Sequence, residues 1–366
     1  MHLTLFFTYK ASLERWESVG MFEREVALYK SYLAKGIGIS FVTYGKNDRV
    51  LFRELLPSIE ILCNETRLPT RLYAALLPFL HARTLSKTDI IKTNQTSGGL
   101  FALRSAKLFR KPLLARCGYM HSDFMASQYG AESKEAVKAL GEEKRLFSGA
   151  TGIEVTTPMM QESVLSRLPE THDKLTIIPN YVDTDIFTPS KAQHDIDLLF
   201  IGRLVPQKNL LALLNALQGL DLRTFIIGSG HLEQKLREKA NDLGLDINWK
   251  GNVPNNELPT YLNRAKIFIL PSLYEGHPKT LIEAMACGVP VIGADSPGIR
   301  EIIRDGETGC LCGTTPESIR NTIKKLIASE ALRNTLSRNS RKFAVIDYSI
   351  EQIVEQEYQL LVNILS

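Results

Sequence analysis

The tightest constraint on this chain is a rhythm: short apolar runs rich in branched residues alternate with stretches of helical period along almost its whole length. The runs are residues 3–9, 38–44, 89–94, 112–118, 152–157 and 175–180, then 196–202, 223–228, 247–251, 267–272, 290–295 and 309–312. Between them lie helical segments such as MFEREVALYKSYLAKG, HLEQKLREKANDLG and PESIRNTIKKLIASEALRNTL. Strand, helix, strand repetition makes the strands parallel, because the helix supplies the crossover that parallel pairing needs. Two sets of six strands predict an α/β protein of two doubly wound domains. Residues 180–195, NYVDTDIFTPSKAQHD, lack a helical period and carry two turn-forming clusters. The boundary falls there, giving domains 1–182 and 183–349, with a C-terminal helix over 350–366 packing back on the first.

A length of 366 residues suits two cores better than one. Apolar residues make up 44% and charged ones 23%, which excludes a disordered or collagen-like chain. The start, MHLTLFFTYK, has neither a basic flank nor a small-residue cleavage site and reads as a first strand, so a cytoplasmic protein is expected. Five cysteines without zinc-type spacing fit reduced thiols. Charge is uneven. Residues 67–116 hold ten Lys and Arg and one acid, Asp89, around the stretch RLPTRLYAALLPFLHARTLSK. Two readings fit it: a solvated helix with its apolar side inward, or contact with an anionic membrane on the inner face of the cell. Nucleic acid is disfavoured, since the net charge is only +4 and no stacking aromatics accompany the basic residues.

Three strings carry chemistry. YEGHPKTLIEAMACGVPVI, residues 274–292, follows a predicted strand and opens a predicted helix. Ligands of open parallel sheets bind at that edge, and helix-start N–H groups suit anions. Gly276, His277, Pro278, Lys279 and Thr280 therefore form a candidate cradle for phosphate and sugar oxygens. Glu283, one turn into the helix, suits a vicinal diol such as ribose, and Glu275 faces what lies beyond the phosphates. In FIGRLVPQKNL, residues 200–210, Arg203 and Lys208 open onto the same edge as a clamp for a diphosphate. In GSG, Gly228 and Gly230 allow close backbone approach to a ligand.

These strings, with IIPNYVDTDIFTP and DGETG, resemble glycosyltransferase family 4, retaining enzymes of the GT-B fold. The likeness is close over residues 175–312 and looser before them. It implies two Rossmann-like domains facing across a cleft, donor nucleotide sugar on the C-terminal one and acceptor on the N-terminal one. By the same likeness Arg203 and Lys208 match diphosphate binders, Glu283 the ribose ligand and Glu275 the acid near the donor sugar. The N-terminal half departs from the pattern: a paired glycine is reduced to Gly20, and a histidine expected at Gly118 is displaced to His121. Arg116 and Tyr119 flank that loop and are candidates for the acceptor or sugar.

The expected activity is transfer of a hexose from a nucleoside-diphosphate sugar, a UDP-sugar favoured by EGHPKT, to a hydroxyl of a glycan or lipid-linked acceptor in surface polysaccharide synthesis. Cations suffice for the diphosphate, so no metal or other cofactor is expected, and Asp-x-Asp in VDTD reads as a turn. The alternatives are an epimerase or hydrolase of nucleotide sugars, which would form product without acceptor, and a non-catalytic sugar-binding protein.

Overall fold

A computed structural model describes residues 1–366. They divide into two compact units, Met1–Pro179 together with Val354–Ser366, and Asn180–Ile353. The first unit contains a seven-stranded sheet of β1 (His2–Phe6), β2 (Gly38–Val42), β3 (Ile59–Leu62), β4 (Ile90–Thr93), β5 (Leu113–Cys117), β6 (Gly152–Val155) and β7 (Leu175–Ile177). Its order is β3-β2-β1-β4-β5-β6-β7. The second holds β8 (Leu198–Ile201), β9 (Thr224–Ile227), β10 (Ile247–Trp249), β11 (Phe268–Leu270), β12 (Val291–Ala294) and β13 (Cys310–Cys312), ordered β10-β9-β8-β11-β12-β13. Every pairing is parallel. Both sheets reverse their winding once, beside β1 and beside β8.

All twelve expected strands form. A thirteenth, β3, is added at the edge of the first sheet, where Glu60 faces solvent and only four residues carry the strand signal. The central strands read as continuous apolar runs because helices cover both faces: Leu198–Ile201 and Phe268–Leu270 are buried throughout. The segment expected as one helix after Pro316 is two, Pro316–Ala328 and Glu330–Tyr348. Ser329 breaks it by accepting the N–H of Leu332, an N-cap inside an otherwise helical pattern. All five cysteines are buried and unbridged.

The first unit buries a charge network. Lys92 on β4 meets Glu154 on β6 at 3.2 Å and also pairs with Glu357 of the helix Ile350–Leu365. Glu154 accepts from Arg116 Nε at 2.8 Å, directly across the β5–β6 ladder. The end of the terminal helix lies on β6, where a Cβ at Gly152 would sit 2.6 Å from Ile364 Cδ1.

In the second unit, Asp197 ties the sheet's amino edge. Its carboxylate accepts Arg223 Nε at 3.0 Å, Arg223 Nη2 at 3.1 Å and Lys266 Nζ at 2.6 Å. Burial alone would raise its pKa, but these donors hold the carboxyl well below the usual range. A carboxyl depressed in the folded state contributes stability above its unfolded value, near 3.9, and loses it as pH falls through the folded one. Asp197→Asn is therefore expected to cost about 2 kcal/mol at neutral pH. Thermal melts of the two proteins should converge as the pH drops below about 4; a gap that stays constant with pH would show that the charge is immaterial.

Candidate nucleotide-sugar site

The loops after β8 and β11 stand on either side of the point where the second sheet reverses its winding. Such crevices outside the carboxyl ends of parallel strands are where open α/β sheets take ligands. The β8 loop carries Arg203 and Lys208, and the β11 loop carries Glu275 and the start of the helix Lys279–Ala286. Sequence spacing alone did not say how closely they meet. Lys208 Nζ forms an ion pair with Glu275 Oε1, and both side chains are about nine-tenths buried.

Gln207 completes the join. Its Nε2 donates to Tyr274 O at 2.7 Å and lies 3.4 Å from Glu275 Oε2, while its carbonyl accepts the Leu273 N–H at 2.9 Å. Asn209, with φ of +55°, turns the chain into the helix Leu210–Leu217, and its side chain donates to Thr314 O. Asn is one of the few residues other than Gly that adopts this left-handed conformation readily. Arg203 is exposed, its Nη2 3.5 Å from Gln207 Oε1, so its guanidinium is open to a ligand from solvent.

The helix Lys279–Ala286 begins with no side-chain cap and no acid in its first turn, and it places Lys279 there. A cation at the positive end of a helix is unfavourable on its own. An anion bound at that end would relieve both features. His277 contributes backbone rather than side chain: its ring is buried edge-on against Tyr348 at 5.1 Å, and its carbonyl accepts from Asn180 Nδ2 at 2.6 Å. Lys279 Nζ lies 5.2 Å from the Tyr181 ring centroid.

Glu283 is 1% exposed, and Asn255 Nδ2 donates to its Oε1 at 2.9 Å. It is thus held in place before any diol reaches it. The two glycines of GSG pack closely against the β8 loop. A Cβ at Gly228 would lie 2.0 Å from Gly202 O, and one at Gly230 would lie 2.3 Å from Leu204 O. Their backbone approaches the β8 loop rather than open space. Gly298, which no motif had singled out, has φ of +80° and fits beneath the other loop, where a Cβ would meet Gly276 O at 2.3 Å.

In the first unit the loops after β4 and β5 are cross-linked by Gln95 Oε1, which accepts the Gly118 N–H at 2.9 Å. His121 opens the helix His121–Tyr129, and Glu143 Oε1 accepts its backbone N–H at 2.7 Å. Tyr119 lies beside it, exposed, with ring centroids 6.4 Å apart. Arg116 points inward to Glu154 and is 9% exposed, so its charge is engaged within the sheet. Gly20, with φ of +71°, donates its N–H to Glu17 O just past the helix Leu13–Ser18. It lies in the turn between that helix and the next, Phe22–Ala34. Asp183 of VDTD accepts the N–H groups of Asp185 and Ile186, both at 3.1 Å, as a turn does.

Residues 182–343 match the model of the family described as glycosyl transferases group 1. Among relatives, an uncharacterized glycosyltransferase of Methanocaldococcus jannaschii is 32% identical over 148 residues, covering 40% of this chain and 42% of that protein. The UDP-Gal:alpha-D-GlcNAc-diphosphoundecaprenol alpha-1,3-galactosyltransferase of Escherichia coli is 23% identical over 309 residues, 76% of each chain. The chain spans about half the length of several of the curated relatives it matches. Among solved structures, sucrose-phosphate synthase from Thermosynechococcus elongatus superposes with a TM-score of 0.82 at 20% identity, covering 99% of this chain and 98% of that one. The fold is that of the GT-B glycosyltransferases, two Rossmann-like units in one chain. Together the family model and the relatives support a glycosyltransferase.

Proposed function

We propose that the protein is a retaining glycosyltransferase of the family 4 type, moving a hexose from a nucleoside-diphosphate sugar to a hydroxyl of a glycan or lipid-linked acceptor. The observation that carries this reading is the meeting of Arg203, Lys208, Glu275 and an uncapped helix start at one sheet reversal. In this reading the second unit holds the donor and the first the acceptor. The bond from the sugar's anomeric carbon to the diphosphate breaks, and a bond to the acceptor oxygen forms on the same face. The acceptor's proton passes to a leaving phosphate oxygen. Negative charge grows on the diphosphate as it departs, and Lys208, Arg203 and the helix N–H groups stabilise it. Lys208 then exchanges Glu275 for phosphate, which releases Glu275 toward the sugar hydroxyls.

A uridine donor is favoured, in keeping with the UDP-Gal named as donor of the Escherichia coli relative. Its lipid-linked acceptor makes surface polysaccharide synthesis the setting we favour. Cations meet the diphosphate in this scheme, so no metal takes part. Thermal-shift measurements with UDP, GDP, ADP and their sugars, with and without chelator, test the reading. A ligand at a hundred times its dissociation constant stabilises by about 2.7 kcal/mol. A shift with UDP that survives chelator is expected; no shift with any nucleotide would remove the reading, and loss of the shift with chelator would remove metal independence.

A further inference from the structure

The helix Thr70–Leu80 is apolar on both sides. Tyr73, Ala74, Leu77 and Pro78 are buried in the first unit. Leu72, Leu76, Phe79 and Leu80 recur at helical spacing on the opposite side, and all four are exposed, Phe79 by 58%. Core packing accounts for the first set only. The inward apolar side allowed from the sequence exists, but so does an outward one.

Exposed cations flank that helix in the chain. Arg67 and Arg71 lie at its start, and Arg83 and Lys87 lie in the next helix, Ala82–Lys87; all four are exposed. Arg104, from the helix Gly99–Phe109, donates to Ala75 O at 3.2 Å and so sits against the same helix. The one acid between residues 66 and 116, Asp89, accepts the His2 backbone N–H at 2.7 Å. No helix of the chain is long and apolar enough to cross a membrane.

We propose that the outward face of Thr70–Leu80, with its rim of arginine and lysine, docks the protein on the surface of an anionic lipid bilayer. Exposed Leu and Phe on one helix face enter the boundary between headgroups and acyl chains, while long basic side chains at the margin keep their heads at lipid phosphates. Charge complementarity selects anionic lipid, because Arg67, Arg71, Arg83, Lys87 and Arg104 outnumber the acids nearby, of which Glu60 accepts from Thr84 at 3.1 Å and Asp89 from the His2 N–H. The inference goes beyond the donor-site reading, which concerns the other unit, and it is measurable without any sugar chemistry.

Flotation of the full chain with phosphatidylcholine vesicles, with and without phosphatidylglycerol, tests it. Binding is expected with phosphatidylglycerol at low salt, with release as the Debye length falls from about 30 Å at 0.01 M to about 3 Å at 1 M. Leu76→Glu with Phe79→Glu should lower the bound fraction at least tenfold. Arg71→Glu with Arg83→Glu should lower the partition coefficient roughly thirtyfold or more at low salt. Melts followed by circular dichroism serve as the folding control for both variants. No binding to either vesicle at any salt overturns the proposal, as does equal binding to neutral vesicles or wild-type binding by folded variants. Self-association that Phe79→Glu abolishes, without vesicle binding, would overturn it in favour of a second copy as the occupant.

Discussion

Lys208→Ala is expected to lower turnover by roughly 100- to 1000-fold, the usual cost of removing one preorganised group that stabilises developing negative charge. The sequence places Lys208 in a solvent-facing loop, but in the structure the side chain is buried and its partner is Glu275, so its loss also carries a cost in stability. Without the ammonium, Glu275 keeps only Gln207, at 3.4 Å. A carboxylate so enclosed and so poorly partnered should cost about 1–3 kcal/mol of stability. The double variant Lys208→Ala with Glu275→Gln removes that unpaired charge, so its melting temperature should recover while activity does not. Turnover within a few-fold of wild type in the single variant would sink the diphosphate clamp.

The second large effect separates the two glutamates. Glu275→Gln should reduce sugar transfer by two orders of magnitude or so, yet bind free UDP at least as tightly as wild type, because Lys208 no longer has a carboxylate to leave. Glu283→Gln should weaken UDP by about tenfold or more, since an amide cannot accept from both hydroxyls of a diol as a carboxylate does. The contact from Asn255 survives that change, as glutamine keeps one acceptor oxygen, so the fold should stand. Titration calorimetry with UDP reads both. Equal loss of affinity in the two variants would refute the division of labour, and weaker binding by Glu275→Gln alone would show that Glu275 touches the nucleotide itself.

Most of the sheet architecture is legible in the chain because parallel strands covered on both faces announce themselves as apolar runs. The one omission, β3, lies at an edge and carries only four residues, and the helix divided at Ser329 keeps its periodicity on both sides of the cap. Candidate site residues from motifs fall together in the second unit because each motif is local and ends a strand. What the sequence conceals is contact between distant loops. Gln207 reaches Tyr274, Asn255 reaches Glu283, and Gly298 fits beneath Gly276, and no spacing rule connects such pairs. Burial is hidden for the same reason: neither Arg116 nor Lys208 differs in sequence from a surface cation, and the partner that encloses each is another segment's carboxylate.

The terminal helix has a consequence for synthesis. Residues Val354–Ser366 belong to the first unit, and through Glu357 they supply a counter-charge to Lys92, which has no access to water. On the ribosome, the segment Asn180–Ile353 is therefore complete before the unit that precedes it in the chain. At about 5–20 residues per second, the nascent first unit waits roughly ten to forty seconds for its last helix. During that interval Lys92 has Glu154 but lacks Glu357, and Gly152 lacks the cover of Ile364. The N-terminal half is the part that stays incomplete longest, and the chain matures in the reverse of its written order.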